Sequence, residues 1–254
     1  MFGVDGMTSP TDREAELATA LAALTDRLAA AARAAGRDVA DIDLLPITKF
    51  FPATDVAILW RLGCRVFGES REQEASAKIT EVADLTGAGD LRWHMVGQIQ
   101  RNKAKAIAAW ADTVHSLSTT KVATALDRGA ALAIEEEVRS APITVFVQIS
   151  LDGDTSRGGV DIGDPGAVDE LCALVAEADA LRLAGLMAVP PLGADPDAAF
   201  AALADEHRRI LRNHPGATAL SAGMSGDLEA AVRHGSTCVR VGTALMGQRP
   251  LTSP

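Results

Sequence analysis

The feature that most constrains this chain is a regular alternation. Short β-like runs and amphipathic helical stretches follow one another eight times, with one extra helix in front. The runs lie at 44–48, 64–67, 91–96, 113–115, 143–149, 181–187, 217–220 and 237–241. The first is apolar enough for burial on both faces, as parallel strands require, and the fifth is the clearest, with its β-branched and aromatic residues. Pro46 in the first run lacks the N–H that a ladder needs. The leading helix is expected from Thr11, which has capping-box spacing with Glu14, through Leu17, Leu21, Leu24 and Leu28 on one face, to Gly36. The next spans 53–62 and stops at Gly63; others follow Arg71, Gln100, Thr119 and Ser225. Asp164-Pro165 opens a helix burying Val168, Leu171, Cys172 and Val175, and Asp195-Pro196 one burying Phe200, Leu203, Ile210 and Leu211. No linker or low-complexity segment divides the series. The expectation is an α/β fold: a single closed (β/α)8 TIM-type barrel over 11–250 with an extra N-terminal helix, after a flexible segment 1–10. An open doubly wound sheet would need a glycine-rich fingerprint after the first strand, and there is none.

A chain of 254 residues can bury such a core without staples. It is 48% apolar, yet no uninterrupted apolar run is long enough to span a membrane. Residues 1–12 carry no secretory-signal pattern, and either Met1 or Met7 fits as the start. Cys64, Cys172 and Cys238 are odd in number, far apart and set in apolar surroundings, which fits free buried thiols in a reducing cytoplasm. A net charge of −10 without a basic arm argues against nucleic acid, so any anion site must be local. There is no tyrosine.

Barrels of this class work at the C-terminal ends of their strands. That rule selects Lys49, Glu69, Ser70, the stretch 94–98, Ser116, Met187, 221–225 and 240–243. Lys49 follows a nearly apolar strand. An amine in a poorly solvated site is biased toward its neutral form, which can attack an aldehyde to give a Schiff base. A phosphate-loop lysine is excluded, because no glycine precedes it. Residues 221–225, Ser-Ala-Gly-Met-Ser, form a small-residue loop opening a helix, with Ser225 as a candidate cap and Gly223 as the turn. Residues 240–243, Arg-Val-Gly-Thr, supply a guanidinium, an open backbone and a hydroxyl. The loops after the seventh and eighth strands are where barrels commonly hold phosphate. His94 reads as a structural histidine or a general base. The five histidines show no metal-ligand spacing, and no serine-hydrolase elbow is present.

These residues resemble the pyridoxal phosphate homeostasis (YggS/PROSC) family. The resemblance runs from about Leu44 to Gly247 and is carried by Ile-Thr-Lys at 47–49, Phe-Gly-Glu-Ser-Arg-Glu-Gln-Glu at 67–74, Trp-His-Met-Val-Gly-Gln-Ile-Gln-Arg-Asn-Lys at 93–103, and Val-His-Ser at 114–116. Gly-Leu-Met at 185–187, Gly-Met-Ser at 223–225 and the stretch 235–247 complete it. It implies a fold-type III barrel that binds pyridoxal 5′-phosphate (PLP), is cytosolic and is a monomer or weak dimer. It places the Schiff-base lysine at Lys49 and phosphate contacts at Ser225, Gly242 and Thr243. Arg240 falls on a cofactor-contacting arginine, facing either the phosphate or the pyridine nitrogen, and Met187 and Met224 line the site. Ser70 stands where the family usually has asparagine, a longer side chain with more hydrogen-bonding groups. Phe50 replaces the commoner threonine, and Ala222 a methionine.

The resemblance implies a protein that holds PLP for cellular homeostasis without substantial turnover, with PLP-dependent apo-enzymes as partners. The alternative is a PLP-dependent racemase or decarboxylase on the same barrel. Such enzymes add a C-terminal β-domain, for which little chain follows Met246, and the racemases use a tyrosine base that this chain lacks. A phosphosugar enzyme would need strand-end carboxylates, and only Glu69 is well placed.

Overall fold

Apolar runs buried on both faces must pair in parallel and be covered by helices. In the computed structural model, which describes residues 10–248, they do so as a barrel. Its strands are β1 (Asp43–Pro46), β2 (Val66–Glu69), β3 (Arg92–Met95), β4 (Thr113–Leu117), β5 (Ile143–Ser150), β7 (Leu181–Ala188), β8 (Ala219–Ser221) and β9 (Cys238–Val241). A two-residue strand, β6 (Val160–Asp161), pairs only with β5 and lies in the loop after it. The hydrogen-bonded order is β1-β9-β8-β7-β5-β4-β3-β2, all parallel, and an Ile47–Gly68 bridge joins the two ends. Asp43 and Ile47 donate to Thr237 and Val241, on the β9 side, whereas Thr48 donates to Gly68. Pro46 has the same parity as Thr48, so its missing N–H falls on the β2 side. The proline is tolerated because it sits at the thinly paired seam.

The helices are α1 (Pro10–Ala34), α2 (Ala53–Arg61), α3 (Glu72–Thr86), α4 (Ala104–Trp110), α5 (Thr120–Glu135), α6 (Pro165–Glu177), α7 (Pro196–Leu211), α8 (Leu228–Arg233) and α9 (Thr243–Met246). Thr119, Asp164 and Asp195 cap α5, α6 and α7 through their side chains. The extra helix α1 packs on α2, α8 and α9. Its Leu17, Leu24 and Leu28 join Val239, Val241, Leu245 and Met246 in one buried cluster. With only four residues, α9 is too short to cover β9 and β1 alone, and α1 completes the layer. Each fully buried leucine is worth about 1.5–3 kcal/mol.

Two small clusters contain strand and strand-end residues alone and so lie inside the barrel: Leu45, Ile47 and Cys238, and Phe146, Ala184 and Met187. No helix among the described residues is long and apolar enough to cross a membrane.

Several boundaries differ from expectation for local reasons. The helix is already running at Pro10, so Thr11 lies in its first turn and not at its cap. Segment 1–10 and the choice of start codon lie outside the described residues, Pro10 apart. Cys64 donates back to Leu59 and closes the end of α2, so β2 starts at Val66 and not at residue 64. Ala217 likewise closes a turn on His214, which delays β8 to Ala219. Leu211 is only partly buried.

Candidate functional site

Strand neighbours bring the candidate residues together. Pro46 is in register with Val241, Ser221 with both Cys238 and Met187, and Ile47 bridges Gly68. Lys49, just past β1, therefore has the Gly242-Thr243 loop on one flank and Ser70 on the other. Beyond Gly242 come Met224 and Ser225 after β8, then Met187 on β7. All eight candidates thus lie along one arc, β7-β8-β9-β1-β2.

Lys49 sits in a tight turn. Phe51 donates its N–H to the Thr48 carbonyl at 3.1 Å, making Lys49 and Phe50 the central residues. Phe50 has φ of 70°, a left-handed value that turns normally reserve for glycine or asparagine. Its ring lies under two cations, with Lys49 Nζ 5.9 Å and the Arg71 guanidinium 5.4 Å from the centroid. Behind the turn, Thr48 Oγ1 donates to Glu69 Oε1 at 2.7 Å, and Lys78 pairs with the same oxygen at 2.7 Å.

The loops after β8 and β9 interlock. Gly223 has φ of 89°, and a Cβ there would lie 2.4 Å from the Ala231 side chain, so the path admits only glycine. Ser225 does not cap the following helix, contrary to expectation. α8 begins at Leu228; Asp227 receives the Met224 N–H at 2.6 Å, and Ser225 Oγ accepts from Ala244 at 3.4 Å. The serine hydroxyl thus faces the first turn of α9, whose leading amides have no carbonyl partner within the helix. Gly242 and Thr243 stand at that turn. Met187 is buried and Met224 exposed.

Arg240 is buried inside the barrel and makes no ion pair with any described residue. Nη1 donates to Ser221 Oγ at 2.6 Å and Nη2 to the Ala188 carbonyl at 3.0 Å. Burial lowers its pKa from the ordinary arginine value. The chain of bonds continues from Ser221 to His115 Nδ1 at 2.8 Å and from His115 Nε2 to His94 Nδ1 at 2.9 Å. An ordering that satisfies every atom has Ser221 donating to His115, and His115 to His94. Burial pushes His94 down to about 3 and His115 well below its usual range, so both rings are neutral. His115 also stacks on Phe146 at 4.6 Å. An unpaired buried guanidinium above neutral rings fits an electron-rich or anionic group.

Ser70 is at the edge of the arc. It lines a cleft of about 380 Å³ with Gln98, Gln100 and Lys103. Gly97 packs so closely on the Ser70 backbone that a Cβ there would collide with it, and Ser116 donates to the Gly97 carbonyl at 2.5 Å. The loops after β2 and β3 and the end of β4 are thereby stitched together. Among the described residues no group of three or more His, Cys, Asp or Glu side chains is placed to hold a metal ion. Reading the sequence missed His115 and Lys78. A histidine within a β-like run, between Val114 and Ser116, was the signal for the first; nothing local marks the second.

A barrel of eight parallel strands alternating with helices is the fold of the alanine racemase N-terminal domain. Residues 20–250 match the model of the alanine racemase N-terminal domain family. The likeness to the alanine racemase of Corynebacterium glutamicum, at 16% identity and a TM-score of 0.62, covers 90% of this chain and 60% of that one, and concerns the fold alone. PipY of Synechococcus elongatus, solved with PLP bound, is similar at 30% identity and a TM-score of 0.76, over 91% of this chain and all of that one (100%). The pyridoxal phosphate homeostasis protein of Mycobacterium tuberculosis is 61% identical over 249 residues, 96% of each chain. The chain belongs to the pyridoxal phosphate homeostasis protein family.

Proposed function

We propose that this chain holds PLP as a Schiff base on Lys49 and serves the homeostasis of that cofactor, binding and releasing it without substantial turnover. The observation that carries the proposal is the single arc that sets Lys49 beside the Gly242-Thr243 loop and above an unpaired buried Arg240. PLP supplies an aldehyde, which condenses with a lysine amine with loss of water, and a phosphate dianion. Lys49 provides the amine. The Ser225 and Thr243 hydroxyls and the amides at Gly242 and Thr243 provide donors for the phosphate. Arg240 offers a fixed guanidinium to either the phosphate or the pyridine nitrogen. Met187 and Met224 give apolar walls, and Ser70 closes the β2 side. The lack of any tyrosine disfavours a two-base racemase. The three free thiols suit a cytoplasmic setting. Its partners are then PLP-dependent apo-enzymes, with the protein a monomer or weak dimer.

Adding PLP, reducing with borohydride and mapping the adduct tests the site. The expected product is a single modification at Lys49, lost in Lys49→Ala. Modification elsewhere, or none, would sink the assignment. Sustained racemisation or decarboxylation of an amino acid by the purified protein would favour the enzymatic alternative instead.

A further inference from the structure

We infer that Glu69 and Lys78 are positioning residues that hold Lys49 from behind the sheet. Gly68 faces the barrel interior, where a Cβ would meet Ile47. Its neighbour Glu69 therefore points outward, toward α3 and Lys78. Glu69 is wholly buried and Lys78 nearly so, with 0% and 10% of their side chains exposed. Lys78 Nζ donates both to Glu69 Oε1, at 2.7 Å, and to the Thr48 carbonyl, at 2.9 Å. Thr48 Oγ1 donates to the same carboxylate oxygen. Two of the three bonds hold Thr48, at its carbonyl and its hydroxyl, and the third ties their partners together, so the residue that leads into Lys49 is fastened.

Stability does not account for this pair. Glu69 Oε2 is buried with no hydrogen-bond partner among the described residues, and apolar residues commonly fill such a space at no loss. What an apolar pair cannot do is donate to the Thr48 carbonyl. That carbonyl is also the acceptor that closes the turn from Phe51. The turn carries a strained residue, Phe50, next to Lys49, and strain of this kind persists only where the surroundings over-determine it. Without Lys78 or Glu69 the turn relaxes toward negative φ at Phe50 and Lys49 leaves its place. Neither residue touches the cofactor in this scheme, so neither is catalytic.

Such a role presupposes that Lys49 forms the Schiff base. The experiment compares two ligands in wild type, Lys78→Met, Glu69→Gln and Lys78→Arg. PLP reports on Lys49 through imine absorbance. Pyridoxine 5′-phosphate has the same ring and phosphate but an alcohol in place of the aldehyde, so it reports on the rest of the site. Lys78→Met and Glu69→Gln are expected to weaken imine formation at least tenfold, a typical effect of a misplaced reacting group. Their affinity for pyridoxine 5′-phosphate is expected to stay within twofold of wild type, and Lys78→Arg to recover most of the imine. Should Lys78→Met fail to fold, Thr48→Val removes one of the three bonds and carries the same comparison. If wild type itself forms no imine at Lys49, the function proposed above fails, and this role with it. If wild type does and the variants match it, or if both ligands weaken in parallel, only the positioning role is overturned.

Discussion

Arg240→Met separates a residue kept for a ligand from one kept for the fold. The substitution removes two hydrogen bonds from a charged donor, to Ser221 Oγ and the Ala188 carbonyl. At about 1.5–3 kcal/mol each, that is a loss of roughly 3–6 kcal/mol. It also removes a buried charge with no ion-pair partner among the described residues, whose burial costs several kcal/mol. The terms nearly cancel, and the apo-protein is expected within roughly 2 kcal/mol of wild type by urea denaturation. Binding behaves differently. Losing a buried charge-assisted contact to the cofactor costs about 2–5 kcal/mol, or roughly 30- to 5,000-fold in PLP affinity, read by absorbance titration. An apo-protein destabilised by more than about 4 kcal/mol with PLP affinity unchanged would refute the reasoning and make Arg240 a structural residue.

Gly223→Ala combines a left-handed φ with a Cβ 2.4 Å from the Ala231 side chain, and is expected to cost roughly 2–4 kcal/mol in urea and to weaken PLP binding. His94 and His115 are held neutral in the fold by burial while the unfolded chain protonates near 6.5, so stability present above that pH is lost as pH falls below it. Between pH 7 and 5.5 the expected loss is on the order of 1 kcal/mol per histidine, and His94→Gln should remove roughly half of the combined effect; an unchanged slope in that variant would contradict the assignment.

The barrel was legible because its apolar runs are too regularly spaced for another parallel architecture. Its boundaries were not, because one backbone bond decides them: the amides of Cys64 and Ala217 close turns that composition cannot distinguish from strand starts. At the site, Lys49, Arg240 and Gly223 stood out as residue types that strand ends seldom hold without reason. Ser225 was misread as a cap because the pattern of small residues is local, whereas the competing carboxylate of Asp227 decides the geometry. Ser221 and His115 meet across the barrel although 106 residues separate them, so register and closure, not sequence spacing, create that contact. Lys78 reaches Thr48 only because α3 folds back behind β1 and β2.

The distribution of chemistry around the rim bears on turnover. The arc from β7 to β2 carries the amine, the guanidinium and the phosphate-type donors. The opposite side, β3 to β5, supplies His94, His115 and the Phe146 ring. A base acting against the face opposite Lys49 would have to come from there, and no tyrosine exists to serve. His94, with its pKa pushed down to about 3, is a weak proton acceptor at neutral pH, and its Nδ1 is already bonded to His115. His115 is bonded at both ring nitrogens. The two histidines are therefore better suited to holding Ser221, and through it Arg240, than to moving a substrate proton. That division is what the proposed cofactor-holding role leads one to expect: the amine and guanidinium on one side and, among the described residues of the other, two histidines already bonded to each other.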